Sequence, residues 1–190
     1  MIEHIAEVVE SATSEFLAEC RELHVIPPFG SLVKVSGPVT AYGLVYEAAT
    51  RSIEPNRRAT AFGLSAEELA LEQPQIFELL RSEIKVLLVG YEQDGAMWQI
   101  LPPEPPRIHA FVYPCSTEEI SRFTAEPDWL RCLLNSARGP VDELIIAAVR
   151  QAAAAQDEPK PYLVQTGKEL ARLLRDDYDR LGSLIRRMAR

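Results

Sequence analysis

Three apolar runs decide how this chain reads: SLVKV at Ser31–Val35, AYGLVYEA at Ala41–Ala48 and IKVLLVGY at Ile84–Tyr91. The third leads through EQDG, Glu92–Gly95, into AMWQILPP at Ala96–Pro103. Tyr42, Leu44 and Tyr46 fall on one face of the second run, while Gly43 interrupts the other. A glycine inside a strand marks a bulge or sharp bend, which a small barrel needs at its corners. The run at Ile84 is apolar on both faces, so its strand is central or covered. Asp94-Gly95 signals a two-residue hairpin, and pairing Gln93 with Ala96 sets Tyr91 opposite Trp98.

Upstream, Ile5, Val8 and Val9 lie in a β-branched stretch that the turn residues Ser11 to Ser14 interrupt. Phe16, Ala18 and Cys20 then alternate with Glu15, Leu17 and Glu19, the period of a strand with one buried face. Pro27-Pro28 stops regular structure before Gly30. After Thr50 the chain leaves the sheet for a long excursion. Ser65 with Glu68 forms a capping box that opens a short helix, and Pro74 suits the first turn of a second, striped by Ile76, Phe77 and Leu80. The insert thus occupies about residues 65–83.

Four prolines stand between Pro102 and Pro106, where they hold an extended spacer. Beyond them the periodicity becomes helical, with Phe111-Val112-Tyr113 the last strand run. Ser116 with Glu119, and Thr166 with Glu169, read as two further capping boxes, and Pro127 and Pro140 stand where helices start. Val141, Leu144, Ile145 and Val149 form one stripe, and a long leucine-rich helix follows Thr166 to Met188. The resulting expectation is an α+β protein in three parts. A small antiparallel β-barrel with its helical insert occupies residues 1–103, a proline-rich linker 104–115, and an all-α domain 116–190.

The chain has 190 residues, 47% of them hydrophobic and 25% charged, the composition of a folded globular protein. No run approaches about 18 apolar residues, and the acidic start MIEHIAEVVE is unlike an export signal. Cys20, Cys115 and Cys132 are odd in number and not closely spaced, which suits free thiols in a reducing cytoplasm. Residues 1–103 hold 7 Lys/Arg and 15 Asp/Glu, a balance of −8, whereas residues 104–190 hold 13 of each. An acidic barrel repels phosphate backbones and disfavours nucleic acid. The basic end Arg180, Arg186, Arg187 and Arg190 suits a helix C-terminus; contact with DNA is the alternative.

Chemistry-bearing motifs are weak. Lys168 in QTGKE resembles a phosphate loop, but Tyr162 stands where the pattern needs glycine and Glu169 where it needs Ser or Thr. His4, His24 and His109 lack metal-ligand spacing, and Asp176, Asp177 and Asp179 read as a solvated face. No cofactor or metal is therefore expected, and no catalysis. Arg51, Glu54, Asn56, Arg57 and Arg58 are the most concentrated polar group, set on a loop of an acidic domain. Arginine forks there suit a partner's carboxylates or phosphates, while pairing with the domain's own glutamates is the competing reading.

Residues Ile5 to Leu101 resemble the HAS-barrel family, shared by HerA-type DNA-translocating ATPases and the catalytic subunits of rotary ATP synthases. The stretches that carry the resemblance are EVVESATSEFLAEC, FGSLVKV leading to YGLVYEA, and IKVLLVGY. The run from SIEPNRRATAFGL through EQPQIFELLRSE is similar to stand-alone HAS-barrel proteins of cyanobacteria. The resemblance implies a non-catalytic interaction barrel, here with no motor domain after it. It implies an adaptor or assembly factor docking on a larger protein assembly, with the helices giving a second contact or self-association. A regulatory partner of a HerA-like ATPase or nuclease is the alternative.

Overall fold

The computed structural model of the chain describes residues 3–54, 58–136 and 138–188. Seven strands precede most of the helices: β1 (Ala6–Ser11), β2 (Glu15–Cys20), β3 (Leu32–Val35), β4 (Thr40–Ser52), β5 (Leu80–Gln93), β6 (Ala96–Trp98) and β7 (Phe111–Pro114). All neighbours are antiparallel, in the order β2-β1-β7-β3-β4-β5-β6, and β2 also pairs with β5. That last pairing closes a six-strand barrel and leaves β6 as a hairpin on the far half of β5.

The alternation seen in the sequence assigns the inside. Ala6, Val8, Phe16, Ala18, Val33, Val35, Ala41, Val45, Ile84, Val86, Leu88 and Val112 fill the barrel. The intervening residues Leu32, Tyr42, Leu44, Tyr46, Leu87 and Val89 point outward into a second core shared with the helices. A covered outer face explains why Ile84–Tyr91 is apolar on both sides. The register slips by one residue at Tyr42/Gly43, as the glycine predicts. A Cβ on Gly43 would lie 2.4 Å from Val86 Cγ1 and 2.8 Å from the Leu87 carbonyl, so only glycine fits there. Asp94 and Gly95 both have positive φ in the β5–β6 turn, and Tyr91 stacks on its partner Trp98 at 6.4 Å.

Helices α1 (Ala66–Glu72), α2 (Thr117–Thr124), α3 (Leu130–Leu134), α4 (Val141–Ala154), α5 (Pro159–Leu173) and α6 (Tyr178–Met188) complete the chain, with short 3₁₀ turns at Pro74–Leu79 and Pro127–Trp129. The capping boxes at Ser65/Glu68 and Ser116/Glu119 are both formed. The one expected at Thr166/Glu169 is not. Pro159 and Pro161 start α5 earlier, which buries Thr166 in mid-helix against the shared core. The leucine-rich run also breaks, between Leu173 and Tyr178, and Asp177 Oδ1 accepts the Arg180 N–H at the new start.

The stretch expected as a linker contains a strand. β7 fills the gap between β1 and β3, so residues from beyond the prolines complete the barrel. Every regular element after β7 is helical, yet Phe123, Trp129, Leu144 and Leu170 pack in one cluster with Tyr42 and Leu87. Gln99 fastens the two layers: its Nε2 donates to the Phe123 and Glu126 carbonyls at 2.5 and 2.8 Å. Its Oε1 accepts the Trp129 N–H at 2.8 Å. Among the described residues no helix is long and apolar enough to cross a membrane.

Candidate docking surface

The β4–β5 pair overshoots the barrel. β2 reaches only Glu83 of β5, whereas β4 and β5 continue paired to Ser52↔Leu80 as a two-stranded ribbon, and the insert sits on its tip. On one face of the ribbon Thr50 Oγ1 meets Ser82 Oγ at 2.8 Å, and Ser82 accepts the His24 N–H at 2.9 Å. The other face carries charge. Arg51 stands directly opposite Arg81, a repulsive arrangement that each arginine offsets with a carboxylate on its own strand. Arg51 holds Glu47 Oε1 at 2.6 Å, and Arg81 Nε lies 2.9 Å from Glu83 Oε1. Lys85 takes the other oxygen of Glu47 at 2.9 Å, and its hydrogen bond, with that of Arg51, holds the Glu47 carboxyl below its usual range.

The structure brings Arg51, Glu54 and Arg58 together with Arg81 and Glu83 around a cleft of about 470 Å³. Asn56 and Arg57 lie outside the described residues. Glu83 is 5% exposed, and its pairing with Arg81 braces the ribbon. Arg51 is engaged by Glu47 across four residues of one strand face, while Arg58 is exposed. Of the residues singled out from the sequence, Arg51, Glu54 and Arg58 therefore share one location, and Arg51 is paired within the fold to Glu47, which sequence reading did not name.

The insert adds what the charges do not. Helix α1 and the 3₁₀ turn after it bury no residue. Ile53, Phe62, Leu64, Leu71 and Leu79 are exposed, Leu71 at 84%. Between residues 59 and 80 the only charges are Glu67, Glu68, Glu72 and Glu78. An acidic, apolar tip on a stiff ribbon is a surface built outward from the core.

The other titratable groups are structural. Burial pushes the Cys20 thiol up to about 11 and Cys115 to about 12, and raises Cys132, so none is a ready nucleophile. Tyr42 and Tyr46 donate to Glu92 and Glu15, at 3.1 and 2.6 Å, and burial with these bonds raises both phenols. Lys168 lies within helix α5, not on a loop, and Tyr162 is buried nearly two turns earlier in the same helix. His4 stacks on Phe111 at 4.3 Å, His109 Nδ1 meets Glu7 at 2.6 Å and His24 sits beside Thr50. Among the described residues no three His, Cys, Asp or Glu side chains gather as a metal would need. No family model matches the chain, and no curated protein matches it.

Proposed function

We propose that this protein is a non-enzymatic adaptor or assembly factor that docks on a larger protein assembly through the ribbon and its insert. The observation that carries the reading is α1, a capped helix that buries none of its residues and exposes Leu71 almost fully. Contiguous exposed apolar surface rimmed by charge marks an interaction site. Arg51 and Arg58 line the cleft on the ribbon below the insert, where a charge steers encounter and fixes orientation more than it adds affinity. The resemblance to HAS barrels supports the same use, since that barrel is an interaction module without a catalytic centre of its own.

Deleting the insert tests it. Ile53 N–H donates to the Leu79 carbonyl, so an Asn-Gly link can replace residues 54–78 and close the ribbon as a two-residue hairpin. The shortened protein should melt within a few degrees of the full chain, because nothing removed belongs to either core. It should lose every cross-link that the full-length protein makes to proteins other than copies of itself in native extract. Retention of those cross-links would overturn the proposal.

A further inference from the structure

We propose that the outer edge of β4 is self-complementary and pairs two copies of this chain about a dyad at Ala49. The first half of β4 is covered. Ala41 to Leu44 pair with β3, Gly30 N–H donates to the Val45 carbonyl at 2.8 Å, and Val45 N–H donates to that of Ser31 at 3.0 Å. A bulge at Tyr46 follows. From Glu47 to Ser52 the strand pairs only with β5, and no strand lies on its other edge among the described residues.

The outward groups follow from one hydrogen bond. Ile53 N–H donates to the Leu79 carbonyl, so Ile53, Arg51, Ala49 and Glu47 turn their backbone groups toward β5. Ala48, Thr50 and Ser52 then direct N–H and C=O away from it, an unsatisfied row that another strand can take up. Ala48 and Thr50 are exposed, and the bonds of His24 are to the Thr50 and Ser82 hydroxyls, not to the β4 backbone.

Charge selects the occupant. Edges are guarded by lysine, proline or mismatched charge. Glu47-Ala-Ala-Thr-Arg51 has neither lysine nor proline, and its two charges are opposite and four residues apart. Laid antiparallel on itself about Ala49, it sets Glu47 opposite Arg51 of the second copy, and Arg51 opposite Glu47, in one register. Ala48 and Thr50 face each other as hydrogen-bonded pairs. The Ala49 pair falls at a non-hydrogen-bonded position, where strands approach to about 4.5 Å between Cα atoms and small side chains are favoured. A slip by two residues sets Arg51 against Ala49 and Glu47 against Ile53, which loses both charge pairs. The paired form is an isologous dimer with a continuous sheet β5-β4-β4-β5. The inference is independent of the docking reading, because the edge survives deletion of the insert.

Sedimentation equilibrium of the full chain tests it. A dimer with Kd on the order of micromolar is expected. Arg51→Glu, which opposes two carboxylates twice over, should raise Kd by about tenfold or more, and Glu47→Arg with Arg51→Glu together should restore it. Circular-dichroism melting confirms that each variant is folded. Ala49→Cys should oxidise to a covalent dimer, since the facing Cα atoms lie within disulfide range, whereas Ala48→Cys, which faces Thr50, should not. The proposal is overturned by a chain that stays monomeric at every concentration, or by a dimer that Arg51→Glu leaves unchanged.

Discussion

Replacing Gln99 tests whether the barrel and the helices stand or fall together. The side chain meets three backbone groups of the α2–α3 connection: the Phe123 and Glu126 carbonyls and the Trp129 N–H. Gln99→Ala removes all three partners at once. Two of the bonds are partly buried and one is exposed, so water replaces them incompletely, at about 1 kcal/mol each and roughly 3 kcal/mol together. For a chain of this size about 2–4 °C is lost per kcal/mol, so the melting midpoint should fall by roughly 6–12 °C. Gln99→Glu sharpens the test. The new carboxylate can still accept from Trp129 but faces two carbonyls that need a donor, which raises its pKa in the folded state. A raised folded pKa makes the variant's deficit largest well above the unfolded value, and the gap to wild type should narrow as pH falls toward it. Calorimetric melting of the three proteins across pH reads both effects. If both variants melt within a degree or two of wild type, Gln99 does not fasten the layers.

Gly43→Val places carbon against the Leu87 carbonyl, which cannot move without breaking the sheet; a loss of about 1–3 kcal/mol or more in urea unfolding is expected. A fragment of residues 1–103 lacks β7 and should show no cooperative melting, whereas residues 1–115 should regain the strand pairing seen by amide exchange. Burial keeps Cys20 and Cys115 protonated, so native protein at about pH 8 should leave both unmodified by iodoacetamide until it unfolds. For Glu119, burial opposes ionisation, but hydrogen bonds from Lys34 and the Ser116 N–H win and hold its carboxyl below the usual 4.5. Its stabilisation is present above that value and lost as pH falls through the lowered one, so Lys34→Met should flatten the acid limb of the melting curve.

Local signals were legible wherever one residue type served one geometry. Gly43 marked its bulge, Asp94-Gly95 its hairpin, and Ser65 and Ser116 their caps. The run Ile84–Tyr91, apolar on both faces, reads as central or covered, and Leu87 and Val89 do pack against the helices. What failed depended on distance. Phe111-Val112-Tyr113 reads as the last strand run, but the partners of β7 are two strands about eighty and a hundred residues away, which no local pattern records. Thr166 and Glu169 match a capping pattern that is silent once Pro159 has already begun the helix. Of the arginine group, Arg51 and Arg58 line one cleft on the ribbon. The partner of Arg51 is local, since Glu47 lies four residues before it on the same strand face, but the Arg81–Glu83 pair is brought beside them only through the β4–β5 register.

That register also bears on the proposed function. Closure of the barrel needs β5 only from Glu83 onward, where β2 pairs with it. The three further pairs, Thr50↔Ser82 to Ser52↔Leu80, add ordered chain on which the barrel core does not depend. Each ordered residue costs on the order of 1–2 kcal/mol of backbone entropy, which hydrogen bonds at an exposed ribbon repay poorly. The bracing of Arg81 by Glu83 and the Thr50–Ser82–His24 contacts stiffen the stretch even so. A ribbon stiffened beyond what closure requires, ending in apolar side chains that find no core, holds those side chains at a fixed distance from the barrel. Preorganisation of that kind lowers the ordering cost of association, and it is wasted unless the tip meets another surface.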